Sequence, residues 1–261
     1  MKKRVIIILV ICLAGWLVIK HLKDPYAINK IESLQGISWR HVFGTDYLGR
    51  DLFSRIVHGS VYSLYIAFLA LTSVVIISLL LGSLAGCIGG RADTSIMILA
   101  DSLISIPSLI LALVFAGLFS NSISTVMVAL VISWSGKYIR YVRNLVLNIK
   151  KEEFILFAPL RGSFGSHAFL HHIIPNMMAE LFSLFTTDLG KMVLSISGLS
   201  FLGIGAQPPT PELGTILFDG KAYFFTAPQL FIFPGIIIAM IVLVTQSISR
   251  QINKYWEVNN D

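Results

Sequence analysis

Charged side chains are scarce in this chain. Only 13% of its 261 residues are Asp, Glu, Lys or Arg, against 55% hydrophobic residues; soluble domains average about 25% charged. So few charges cannot cover a water-facing surface, and lipid is the solvent that asks for none. The shortage is also organised. Residues 59–90, 102–136, 192–211 and 222–249 contain no Asp, Glu, Lys or Arg. A helix needs about 20 apolar residues to cross the hydrocarbon core. The 35 residues of 102–136 are enough for two crossings if the chain turns near Asn121.

Cysteine is nearly missing too. Cys12 and Cys87 both lie in apolar runs, which excludes a disulfide framework and predicts buried, inert thiols. No Gly-x-x-x-x-Gly-Lys-Ser/Thr run occurs, so the chain has no P-loop and does not bind ATP by that route. No nucleophile elbow and no pair of catalytic carboxylates stands out. The expectation is a chain with no catalytic residue, no metal site and no cofactor of its own. The net charge of +6 reads as basic loops beside a membrane rather than as a nucleic-acid surface.

The positive pattern is an all-α integral membrane protein with six transmembrane helices near 3–20, 61–88, 95–119, 122–140, 177–197 and 229–250. The first follows Met1-Lys2-Lys3-Arg4 and spans about 22 Å at 1.5 Å per residue. No small-x-small cleavage site ends it, so it reads as an uncleaved span rather than a signal peptide. A cytoplasmic N-terminus puts 12 Lys and Arg inside, including Lys137, Arg140 and Arg143, and 7 outside, with Lys191 in a span. An even helix count returns the C-terminus to the cytoplasm. Two domains are expected: 1–60, the first helix with its extracytoplasmic segment, and 61–261, the membrane domain with a cytoplasmic loop at 144–176.

Within that loop, 150–176 is too polar for lipid yet carries apolar residues at helical spacing. Phe154, Phe157 and Ala158 share a face, Gly162 supplies a turn, and Pro175 precedes the fifth span. The pattern fits an interfacial helix on the headgroups or a docking surface for a cytoplasmic partner, and physics alone leaves both open. Asp188 and Lys191 lie three apart in the fifth span, where ionisable groups face the bundle interior. They read as part of a pathway or as a mutually neutralising structural pair. Glu180 and Asp101 sit near cytoplasmic span ends. His167, His171 and His172 lack a carboxylate or cysteine to complete a ligand set, and Met177, Met178 and Met192 read as packing residues. Gly203 and Gly205 permit positive φ, so 198–211 reads as a cap on the outer end of a pathway or a contact with a partner.

Three stretches resemble one family. The 150–176 segment resembles the cytoplasmic loop of bacterial ABC-importer permeases, with Ala158, Gly162, Ile174 and Pro175 at matching positions. Leu156, Phe157 and His172 depart from that pattern, and Pro159 is unusual within it. Residues 41–55 and 199–211 closely resemble segments of the dipeptide/oligopeptide/nickel permease family, in its C-type subunit. Weaker echoes are Gly86, Gly89, Gly90, Asp93, Asp101, Pro107 and Leu111, and residues 246–250 depart from the usual ending. The resemblance runs from about residue 40 to 235. It implies a second homologous permease, two cytoplasmic ATPases that hold ATP and Mg, and an extracytoplasmic solute-binding protein. It also implies that Phe154, Phe157, Ala158, Gly162 and Pro175 couple to the ATPases. Residues 188–191 with 196–201 resemble nickel and metallophore members more than dipeptide members. The rival class, an ATPase-independent secondary transporter or channel, would show interrupted helices in corresponding halves, and no such repeat is visible.

Overall fold

The computed structural model describes residues 22–157, 167 and 169–260. The expected first span, 3–20, lies outside them. Among the described residues the regular structure is helical, with no strand. The helices are α1 Leu52–Ile88, α2 Gly90–Ser105, α3 Ser108–Leu118, α4 Ile123–Ile149, α5 Ile174–Phe201, α6 Leu213–Gly220 and α7 Gln229–Asn260. Short helical turns occupy Lys30–Glu32, Glu153–Leu156, Phe169–Ile173 and Lys221–Tyr223.

Among the described residues two single helices are long and apolar enough to cross a membrane, Leu52–Ile88 and Gln229–Ile252. The first starts nine residues before the predicted 61, because Asp51 caps it: its carboxylate accepts the Ser54 amide at 2.9 Å. The expected domain boundary at 60/61 therefore falls inside α1. At 37 residues, α1 runs about 55 Å, well beyond a hydrocarbon core of about 30 Å.

The span predicted at 95–119 is not one straight rod. It is the pair α2 and α3, bent by 86°. Pro107 cannot continue the helical ladder, and it drives Ile106 to an extended backbone (φ −94°, ψ 118°). The turn expected near Asn121 is present, and Ser122 caps α4 through the Thr125 amide. That helix continues to Ile149, nine residues past the predicted end at 140, and α5 covers 174–201 rather than 177–197.

The main core lies where α1, α4 and α5 meet, around Ala67, Leu71, Val74, Leu130, Tyr138 and Met192. Small residues let the backbones approach. A Cβ on Gly82 would stand 2.7 Å from the Ile139 carbonyl, and one on Gly86 2.8 Å from Val146. Close approach through small residues is how helices associate where lipid removes the hydrophobic drive. A second cluster joins Leu52 and Ile56 of α1 to Leu213 and Ile216 of α6 and Leu230 of α7. Leu34 and Phe43 pack on it, so the segment before α1 belongs to the same body. Cys87, in the last turn of α1, is exposed on this chain rather than buried.

Candidate functional site

Three polar constellations interrupt this apolar framework. The first is centred on Asp188, whose side chain is fully buried. Its Oδ1 accepts Lys191 Nζ at 2.7 Å, and its Oδ2 accepts Lys137 Nζ at 2.8 Å and the Tyr138 hydroxyl at 3.1 Å. The expected pair Asp188–Lys191 is therefore a group of four. Lys137 was counted among the cytoplasmic charges near the end of a span expected at 122–140. It lies 14 residues into the 27-residue α4, and Asp188 lies 14 residues into the 28 of α5. Both stand about 21 Å from their helix starts, close to the midpoints.

The second constellation ties α2 to α4. Arg143 grips Asp93 with two bonds, Nε to Oδ1 at 3.0 Å and Nη2 to Oδ2 at 2.6 Å. Arg140 pairs with Asp101. Asp93, which stood out only as a family echo, and Asp101, expected near a span end, thus hold the bent α2–α3 pair against the basic face of α4. Tyr141 donates to Glu180 at 3.2 Å, linking α4 to α5.

The loop after α4 starts from a fixed base. Lys150 Nζ donates to the carbonyls of Gly86 and Cys87 at 3.2 and 3.3 Å, meeting the C-terminal end of α1 where a cation is favoured. Phe154 lies in the turn Glu153–Leu156, and Ile155 packs near Val142, Val146 and Met177. Phe157 is exposed, and Pro175 stands exposed in the first turn of α5. Ala158, Gly162 and the side chain of Phe154 lie outside the described residues. The rings of His167 and His171 stack at 4.2 Å. Met177 and Met192 are buried as packing residues, whereas Met178 is exposed.

The third constellation is made by the stretch 41–55 and by 199–220. Asp46 accepts Arg50 Nε at 2.6 Å and the amides of Leu48 and Arg50 at 2.9 and 3.0 Å. Arg55 Nε lies 3.5 Å from Asp46, while Asp219 of α6 stands 3.7 Å from Arg50 and 4.0 Å from Arg55. Burial pushes the Asp219 carboxyl above the ordinary carboxylate range, against the pull of Arg55 and Arg50. His41 Nδ1 meets Asp51 at 2.7 Å. Gly49 (φ +75°) has no room for a Cβ against the Asn29 carbonyl. In 199–211, Asn121 clamps the glycine turn: it donates to the Gly203 carbonyl at 2.8 Å and accepts the Gly205 amide at 2.9 Å. Glu212, fully buried, accepts Ser63 and Ser197 hydroxyls at 2.9 and 2.7 Å and caps α6 through Thr215. Gly203 (φ +84°) and Gly205 (φ +126°) take the backbone expected of them.

The family described as "Binding-protein-dependent transport system inner membrane component" matches residues 78–257. The chain belongs to this family. It is a permease subunit of a binding-protein-dependent ABC importer, similar to dipeptide and nickel permeases. The dipeptide transport system permease protein DppC of Alkalihalophilus pseudofirmus is 37% identical over 215 residues, 82% of this chain and 71% of that one. The nickel transport system permease protein NikC of Escherichia coli is 34% identical over 220 residues, 84% of this chain and 79% of that one. Among solved structures, an inward-facing form of the MetNI methionine ABC transporter superposes with a TM-score of 0.64. It covers 78% of this permease and 97% of that chain at 18% identity, which establishes a shared fold. Importers of this family work with ATPase and binding-protein components, and this permease is their membrane-embedded part.

Proposed function

We propose that this permease forms one half of a transmembrane pathway in a bacterial cytoplasmic membrane, paired with a second homologous permease. Six helices cross, and both termini face the cytoplasm. Two cytoplasmic ATPases bind ATP and Mg, and an extracytoplasmic solute-binding protein delivers the cargo. This chain hydrolyses nothing itself. The absence of a P-loop supports that division of labour. The cargo is a nickel or other metal chelate, or a short peptide. Relatives named for nickel and for dipeptide transport stand at 34% and 37% identity, too close together to separate the two.

Coupling runs through the loop between α4 and α5. Phe154, Phe157, Ala158, Gly162 and Pro175 form the surface the ATPases hold. The observation that carries this is the placing of the loop: Lys150 fixes its start to α1, Pro175 opens α5, and an apolar ring, Phe157, stays exposed between them. An exposed aromatic beside a rigid base is what a docking surface needs. ATP closure of the motor then moves α4 and α5 together and switches the pathway between outward and inward openings. Lys191 lines that pathway with Lys137, and the buried Asp188 holds both in place.

The test is Gly162→Asp in the reconstituted four-subunit importer with its binding protein. ATP-driven uptake of nickel–histidine or glycylglycine is expected to collapse while ATP hydrolysis continues. Uptake at the unmodified rate would remove the loop from the coupling path.

A further inference from the structure

The group around Asp188 is unbalanced. Lys137 and Lys191 bring two ammonium charges to one carboxylate, which leaves one positive charge. Among the described residues no second carboxylate pairs with either lysine. Asp188 itself is saturated, accepting two ammoniums and the Tyr138 hydroxyl, and it is fully buried. The lysines are not: their side chains are 53% and 47% exposed on this chain. Each ammonium carries three donors and gives one to Asp188, so both keep donors directed away from it.

Position gives this asymmetry a meaning. The cluster stands at the midpoints of α4 and α5, about 21 Å from their starts. With α4 and α5 crossing the membrane as proposed above, a half-exposed ammonium near their midpoints is costly against lipid and settles against a polar cavity or a protein neighbour. Lys137 also lies 5.9 Å from the Trp134 ring and 5.7 Å from the Tyr138 ring, which holds the long side chain in place without neutralising it. A purely structural ion pair would have ended with one lysine.

We propose that Lys137 and Lys191, set by Asp188, are a carboxylate-binding station at the middle of the pathway. It takes cargo bearing a free carboxylate, such as a peptide C-terminus or a carboxylate-ligated metal chelate, and it repels a bare divalent cation. Asp188 is the positioning residue: it fixes the two ammoniums and lowers their joint charge to a level that binds an anion briefly and lets it go. The proposal rests on the preceding reading that this face lines the pathway.

The experiment uses the complete importer with its binding protein in vesicles. Its probes are nickel–histidine, glycylglycine and nickel chloride without chelator, and uptake is read per ATP hydrolysed. The double variant Lys137→Met with Lys191→Met is expected to lose at least about tenfold of this ratio for the carboxylate-bearing probe the wild type moves, the scale of one charge-assisted hydrogen bond. The double variant Lys137→Arg with Lys191→Arg keeps the charge and is expected to retain uptake within about threefold, less than the tenfold worth about 1.4 kcal/mol. The wild-type vesicles report on the importer reading, and the variants report on the lysines alone. Three results would overturn the station: methionine variants that transport normally, arginine variants as defective as the methionine ones, or a rise in unchelated nickel uptake over the chelate in the wild type.

Discussion

Two ionic clusters in this permease pair aspartate with cations to opposite ends. The Asp46–Arg50–Arg55–Asp219 group is closed: two cations meet two anions, and both arginine side chains are at most 2% exposed. The Lys137–Asp188–Lys191 group is open: two cations share one anion, and both lysines reach out of the fold. The residue choice matches. Arginine's rigid fork suits a buried lock, and lysine's point charge on a flexible stem suits a site that must exchange partners. Charge balance and exposure together, rather than depth of burial alone, separate the lock from the working group.

The largest effect should come from breaking the lock. Asp46→Ala leaves Arg50 and Arg55 buried with only the distant Asp219 carboxylate, at a cost of about 3–5 kcal/mol. Thermal unfolding of the purified importer should show it as a large drop. A smaller effect is expected at the open group. Asp188→Asn should cost about 1–3 kcal/mol, because each freed ammonium can turn to water or to a partner, and the loss should be felt in uptake more than in melting. Equal melting losses for Asp46→Ala and Asp188→Asn would erase the distinction.

The smallest effect belongs to Asp219→Asn, within about 1 kcal/mol of wild type, since its carboxylate stands 3.7 and 4.0 Å from the guanidiniums, outside hydrogen-bond range, and burial offsets their pull. Its pH signature sharpens the comparison. The folded-state pKa is raised by burial, so protonation favours the fold. Acidification through the window between that raised value and the ordinary carboxylate range should therefore stabilise wild type through this group. Asp219→Asn should remove that contribution, and melting curves across mildly acidic pH check it.

Much of this was readable before any coordinates. Uncharged runs located the apolar helices, Asn121 marked a turn, and Gly203 and Gly205 declared their positive φ, whereas the bend at Pro107 went unread inside the span expected at 95–119. The loop 150–176 was singled out by polarity with helical apolar spacing. What escaped had a common cause: partners far apart in sequence. Lys137 lies 51 residues from Asp188, Arg143 lies 50 from Asp93, and Ser63 lies 149 from Glu212. No periodicity within one helix reports such pairings. Counting Lys137, Arg140 and Arg143 as loop charges also hid them, because a span of mixed polarity ends where hydropathy falls and not where the helix stops. The lock was visible only as a motif, 41–55, whose second half at Asp219 carries no signal of its own.

The central claim is that the loop between α4 and α5 faces the cytosol and is held by the ATPases. Phe157→Cys, with Cys12 and Cys87 replaced by serine, permits one direct measurement: disulfide or bismaleimide cross-linking in intact cells. A cross-link from position 157 to an ATPase subunit, strengthened when ATP closes the motor, is the predicted result. Labelling of that cysteine from outside the cell by a membrane-impermeant maleimide, with no ATPase adduct, would contradict the account.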